Sequence, residues 1–207
     1  MADKFFITGI GTDIGKTVVA AILTEALKAD YWKPIEAGNV ESSDPMIIAN
    51  LISNKVTEIH PPSYSFDLPA SPHFAAEKEG IEIDLNKIKI PTTKNTLVIE
   101  GAGGLMVPLN RKELVIDLVL QLNVPLILVV KNYLGAINHT LLSLNLLAQR
   151  KVTVKGIIYN GGTRVENINF IEKYSDIPTL GIIPELDVIN KESISREATK
   201  FNGLLKS

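Results

Sequence analysis

Phe5-Phe6-Ile7-Thr8-Gly9-Ile10-Gly11-Thr12-Asp13-Ile14-Gly15-Lys16-Thr17-Val18-Val19 is the stretch from which the rest of the chain can be read. A short apolar run ends at Gly9. A helical pattern opens near Gly15, with Val19, Ile22, Leu23, Ala26 and Leu27 repeating on one face. A strand that turns through glycines into an amphipathic helix forms a phosphate cradle. The glycines let backbone amides approach the phosphates, and the helix N-terminus adds favourable dipole charge. Lys16 is expected to reach the β- and γ-phosphates of ATP, and the Thr17 hydroxyl to bind Mg²⁺. Gly11, Asp13, Ile14, Gly15 and Val18 complete the expected nucleotide-binding set. The loop departs from the strict motif in one respect: five residues, not four, separate Gly9 from Gly15.

Working outward, short apolar runs alternate with helical patterns. Tyr31–Ile35, Thr96–Glu100, Pro125–Val130, Val154–Tyr159 and Thr179–Ile183 read as strands. They are continuously apolar rather than alternating, as burial on both faces of a parallel sheet requires. Glu113–Leu122, Ile137–Arg150, Glu166–Tyr174 and about Glu192–Leu205 read as the helices between and after them. The fold class expected is α/β: one P-loop NTPase-like domain spanning 1–207, an open, mostly parallel sheet with helices on both faces. The stretch Asp44–Pro91 interrupts the rhythm. A helix is expected from Asp44-Pro45, with Ile47, Ile48, Leu51 and Ile52 inward, then a proline-marked irregular passage holding a short helix over Ser71–Lys78.

Composition narrows the function classes. The 207 residues carry 21 basic and 23 acidic side chains, and no basic block, so nucleic acid is not an expected partner. The absence of cysteine removes disulfides, thiolate metal sites and cysteine nucleophiles. No apolar run approaches the ~20 residues needed to span a bilayer, and the N-terminus does not read as a signal peptide. A soluble, cytoplasmic protein without membrane partners is expected.

A Mg²⁺ that bridges phosphates needs one or two carboxylates besides the loop threonine. Glu100 ends an apolar strand and is followed by Gly101-Ala102-Gly103-Gly104, at the strand edge where ligand groups collect. Asp44, before Pro45, reads equally as a helix N-cap or as a metal ligand.

Together these segments resemble the dethiobiotin synthetases. The resemblance is carried by Thr8–Thr17, Trp32-Lys33-Pro34-Ile35-Glu36-Ala37-Gly38, Ser43-Asp44, Ser71-Pro72-His73, Glu100–Gly104, Leu134-Gly135-Ala136-Ile137-Asn138-His139 and Ile183-Pro184. The long loop spacing is normal in that family. The resemblance implies an ATP- and Mg²⁺-dependent ring closure in biotin biosynthesis. In it, 7,8-diaminononanoate takes up CO₂ as a carbamate, the carbamate attacks the γ-phosphate, and the second amine closes a cyclic urea. It further implies catalytic roles for Lys16, Lys33 and Thr12, and metal ligation by Thr17, Asp44 and Glu100. Substrate contacts are implied for Thr12, Lys33, Ala37, Gly103 and the segment Leu134, Gly135, Ala136, Ile137 and Asn138. That segment is expected to serve the site of a second subunit across a homodimer interface. The leucine-rich helix behind it, apolar on more than one face, agrees. Asn160 and Pro184 are implied as adenine contacts. Two positions depart from the family: Ala37 stands where serine or threonine is frequent, and Asp13 where glutamate is frequent. A partition-type ATPase, the nearest alternative, would carry a further lysine where Gly11 stands.

Overall fold

The computed structural model describes residues 3–38, 43–162 and 164–203. Among them, β1 (Lys4–Gly9) lies at the centre of a seven-stranded sheet. On one side of it stand β6 (Leu97–Gly104), β2 (Asp30–Trp32) and β4 (Ile59–His60). On the other stand β7 (Leu126–Lys131), β8 (Val154–Asn160) and β9 (Thr179–Ile183). All pairings between these strands are parallel.

The unbroken apolar runs are explained by where alternate residues go. In β1, Phe6 enters one core while Phe5 and Ile7 enter the other. β7 divides likewise, with Leu126, Leu128 and Val130 on one side and Ile127 and Val129 on the other. The first core is closed by α3 (Pro72–Lys78), α4 (Val115–Leu122), α5 (Ala136–Gln149) and α6 (Val165–Ser175). The second is closed by α1 (Lys16–Leu27), α2 (Asp44–Leu51) and α7 (Lys191–Ala198). Each buried Leu, Ile or Phe contributes about 1.5–3 kcal/mol, so a sheet buried on both faces doubles the apolar yield of every strand.

Element ends shift by a residue or two throughout, and four features depart further from the sequence expectation. Tyr31–Ile35 is not one strand. It stops at Trp32 because Pro34 has no N–H to donate, and β3 (Ile35–Ala37) pairs instead with β5 (Tyr64–Phe66) in a separate parallel ribbon. The proline-marked passage is therefore more ordered than expected, holding β4 and β5 as well as α3. β6 does not end at Glu100 but continues to Gly104, because its glycines let it approach β1 closely enough to keep pairing across a register shift. The last helix stops at Ala198 and gives way to a 3₁₀ turn over Thr199–Phe201; the end of the expected span, at Leu205, lies outside the described residues. His60, the last residue of β4, sits between Asp30 at the start of β2 (Nε2 to Oδ2, 3.5 Å) and Glu58 (Nδ1 to Oε1, 3.6 Å).

The core reaches the site at Gly101. A β-carbon there would stand 2.7 Å from Cε1 of the fully buried Phe6 ring. Gly101→Ala is expected to lower unfolding free energy in urea by about 1–3 kcal/mol. In a Phe6→Leu background, which opens space for the methyl group, the same substitution should lose at most about half of that.

Candidate active site

Beside the carboxyl ends of the central strands, the loop, two lysines and five carboxylates gather around one cleft of about 1020 Å³. β1 delivers the loop, and α1 begins beneath it. Gly15 caps α1 with φ 84°, a left-handed conformation that glycine tolerates. A β-carbon at Gly15 would meet the Asn160 side-chain nitrogen at 1.9 Å, so glycine is required twice over. Asn160, at the end of β8, donates its amide to the Ile14 carbonyl at 3.0 Å and braces the loop from the side. The Lys16 ammonium folds across the loop to the Gly11 carbonyl at 3.2 Å. Burial holds the Lys16 pKa below its ordinary value, against the opposing pull of Glu100.

Thr17, in the first turn of α1, places its hydroxyl 2.8 Å from Asp44 Oδ1 and 2.9 Å from Glu100 Oε1. Glu100 is 1 % exposed, and its second oxygen accepts the Tyr31 hydroxyl at 2.8 Å. Asp44 is not the helix cap: Ser43 occupies that position, and Asp44 is the first helical residue, its carboxylate turned to Thr17 and Lys33. The Lys33 ammonium pairs with Asp44 Oδ2 and lies 3.4 Å from Glu36 Oε1. Lys33 is only 8 % exposed, whereas a lysine before proline at a strand end is ordinarily solvated.

Burial pushes the Glu100 carboxyl up to about 7, with Lys33 pulling it down and Asp44 pushing it further up. Burial by itself would lower Lys33, yet Glu100, Asp44 and Glu36 outweigh it and raise its pKa. Burial also raises Glu36, and raises the Tyr31 hydroxyl with help from Glu100. The donor set of Thr17, Asp44 and Glu100 is oxygen only, which suits a hard cation such as Mg²⁺.

Thr12, Asp13, Gly15, Lys16, Thr17, Lys33, Ala37, Asp44, Glu100 and Gly103 all line the cleft. Gly103 approaches Thr12 across it; a β-carbon there would be 3.5 Å from the Thr12 hydroxyl. Ile14 is buried beneath the loop, and Pro184 follows the β9 residue paired with Asn160. The segment 134–138 does not line the cleft; it opens α5, with Gly135 as its cap and Leu134 92 % exposed. Tyr31 and Glu36 were missed as site residues. Tyr31 lies inside an apolar run that reads as core, and Glu36 was visible only as a carboxylate three residues from Lys33.

A family model described as an AAA domain matches residues 3–193. The ATP-dependent dethiobiotin synthetase BioD of Christiangramia forsetii is 46% identical over 205 residues, covering 99% of this chain and 99% of that protein. Its counterpart in Cytophaga hutchinsonii is 46% identical over 199 residues, covering 96% of each chain. Among solved structures, the septum site-determining protein MinD complexed with Mg-ADP from Pyrococcus horikoshii superposes with a TM-score of 0.62 at 19% identity, covering 97% of this chain and 89% of that one. A ParA family ATPase from Chlorobium tepidum gives 0.60 at 16%, covering 96% and 90%. At those identities the likeness is one of fold.

Glu100 binds its proton more tightly in the folded protein, near 7, than at its ordinary 4.5. The associated stability is complete below about pH 4.5 and is lost as pH rises through about 7. Glu100→Gln cannot ionise and escapes that loss. In urea titrations with EDTA, the variant is expected to gain on the parent by about 2 kcal/mol more at pH 8 than at pH 5. An equal difference at both pH values would contradict the burial account.

Proposed function

The chain belongs to the ATP-dependent dethiobiotin synthetase family, and from that premise we propose that it closes the ureido ring of dethiobiotin from 7,8-diaminononanoate, CO₂ and ATP. The observation that carries this reading is the convergence of Lys16, Lys33, Thr12 and the Thr17–Asp44–Glu100 cluster on one cleft. A reaction that passes through a phosphorylated intermediate needs this arrangement, because phosphoryl transfer depends on positioning and charge stabilisation more than on a protein nucleophile.

In the reading favoured, one substrate amine adds to CO₂, releasing a proton and leaving a carbamate held by Thr12 and Lys33. A carbamate oxygen attacks the γ-phosphorus and ADP departs, giving a carbamic–phosphoric anhydride. The second amine then attacks the carbonyl carbon, phosphate leaves together with the proton that the amine gives up, and the ring closes. Lys16, partly desolvated, stabilises charge on the β- and γ-phosphates, and Lys33 does so on the transferring group. Thr17, Asp44 and Glu100 would hold Mg²⁺, which when bound neutralises phosphate charge. Gly11, Asp13, Ile14, Gly15 and Val18 cradle the phosphates. Asn160 keeps its amide oxygen and a second N–H for a base edge, with Pro184 beside it. Ala37 and Gly103 leave room for the diamine.

The cap of α5 supports a homodimer in which Leu134, Gly135, Ala136, Ile137 and Asn138 receive the substrate carboxylate in the partner's site. A helix N-terminus suits an anion, and Leu142, exposed at 60 %, leaves apolar surface on the same helix. The dependence on ATP favours a cytoplasmic setting. Among the described residues no helix is long and apolar enough to cross a membrane.

Product analysis tests the proposal. With diaminononanoate, bicarbonate, ATP and Mg²⁺ the protein should form a ureido product in step with ADP. ATP hydrolysis indifferent to the diamine would sink the reading. Lys16→Ala should lower turnover by on the order of 10²–10³-fold, the cost of one transition-state donor.

A further inference from the structure

Glu36 is 5 % exposed and has no part in the mechanism above. Its Oε1 accepts the backbone N–H of Ala37 at 3.2 Å and faces the Lys33 ammonium at 3.4 Å; its Oε2 accepts the backbone N–H of Asp44 at 3.2 Å. Two amides therefore fix the carboxylate between the end of β3 and the start of α2. It cannot swing with a mobile partner.

The same ammonium is bonded to Asp44 Oδ2. Lys33 thus sits on a carboxylate that the proposed reaction assigns to the metal, and two cations compete for one anion. Lys33 on Oδ2 neutralises the charge that a metal approaching Oδ1, on the Thr17 side, would use, and in the proposed reaction Lys33 turns instead toward the phosphate. An ammonium as buried as that of Lys33 is costly to leave without a partner. Among the described residues, Glu36 is the carboxylate that faces Lys33 without a hydrogen bond to Thr17 or Glu100.

Resting on the reading of the site given above, we propose that Glu36 is a positioning residue that retains the Lys33 ammonium when Asp44 passes to the metal. The Lys33–Asp44 pair is the closed resting arrangement of the site, and Glu36 makes its opening reversible. A purely structural alternative exists, in which Glu36 only braces the first turn of α2 through the Asp44 amide.

Calorimetric binding of ADP at graded Mg²⁺ concentrations separates the two. Glu36→Gln should raise the Mg²⁺ needed for half-maximal ADP binding roughly tenfold, as expected for one charge-assisted bond. Lys33→Met should lower that requirement or leave it unchanged, since it vacates Asp44. In the Lys33→Met background, Glu36→Gln should add about twofold or less, because its partner is gone. An unchanged Mg²⁺ requirement in the single Glu36→Gln variant overturns the proposal. So does a full tenfold effect in the Lys33→Met background, which would assign Glu36 to bracing α2. A raised requirement in Lys33→Met alone also overturns it, and that arm decides should Glu36→Gln not fold. All arms read ADP binding, so failure of the ring-closing reaction would be seen separately in the product assay.

Discussion

One hydroxyl, that of Thr17, lies within hydrogen-bond reach of both Asp44 and Glu100, and the rest of the site is arranged around it. Two carboxylates that close, with one almost wholly buried, repel each other unless cations and donors surround them. Lys33 supplies the charge, and Tyr31 and Thr17 the hydroxyl donors. Removing the Lys33 ammonium would leave the buried carboxylates uncompensated, at a cost of about 3–5 kcal/mol. The three oxygens come from the first turn of α1, the first turn of α2 and the interior of β6. The site therefore cannot form before the layers on which those elements lie have assembled.

Sheet order makes that meeting possible. The chain leaves β1 through α1 to reach β2, returns to place β6 between them, and crosses to β7 on the far side. Ligand groups in open parallel sheets collect where the direction of winding reverses, at the carboxyl ends of the strands. Here the reversal centres on β1, whose neighbours are β6, bearing Glu100, and β7, leading to α5. The phosphate loop and the proposed metal ligands thus share one edge because of topology, before any side chain is considered.

Most of this was legible in sequence because the signals are periodic or local. Continuous apolar runs announced strands buried on both faces, and Phe5, Phe6 and Ile7 divide between two cores as that pattern requires. The loop could be read because glycine, lysine and threonine spacing is itself the chemistry. What could not be read depends on long-range partners. Tyr31 looks like core until its hydroxyl is seen against Glu100, 69 positions away. Asp44 stayed ambiguous between cap and ligand, since only the distance to Thr17 separates the roles. The break at Pro34 was predictable from the missing N–H, but the pairing of β3 with β5 was not, because two three-residue strands carry too little periodicity.

The charge lining the cleft bears on how a long amphiphilic substrate would be held. Lys16 and Lys33 are its only basic residues among the described ones, and both lie at the phosphate end. The lining also includes Asp67, Pro69, Ala70 and Val107, which offer no cation and one further carboxylate. A substrate whose amines react beside the phosphate while its carboxylate trails several carbons behind would meet no further cation among the described residues of the cleft. The N-terminal end of α5, with exposed Leu134 before its glycine cap, has the polarity that the cleft lacks. It opens outside the cleft of its own chain, as the proposed role in a second copy's site requires. On the proposed reading, a cleft whose described residues place their cations at the phosphate end is completed by the N-terminal end of α5 from a second subunit.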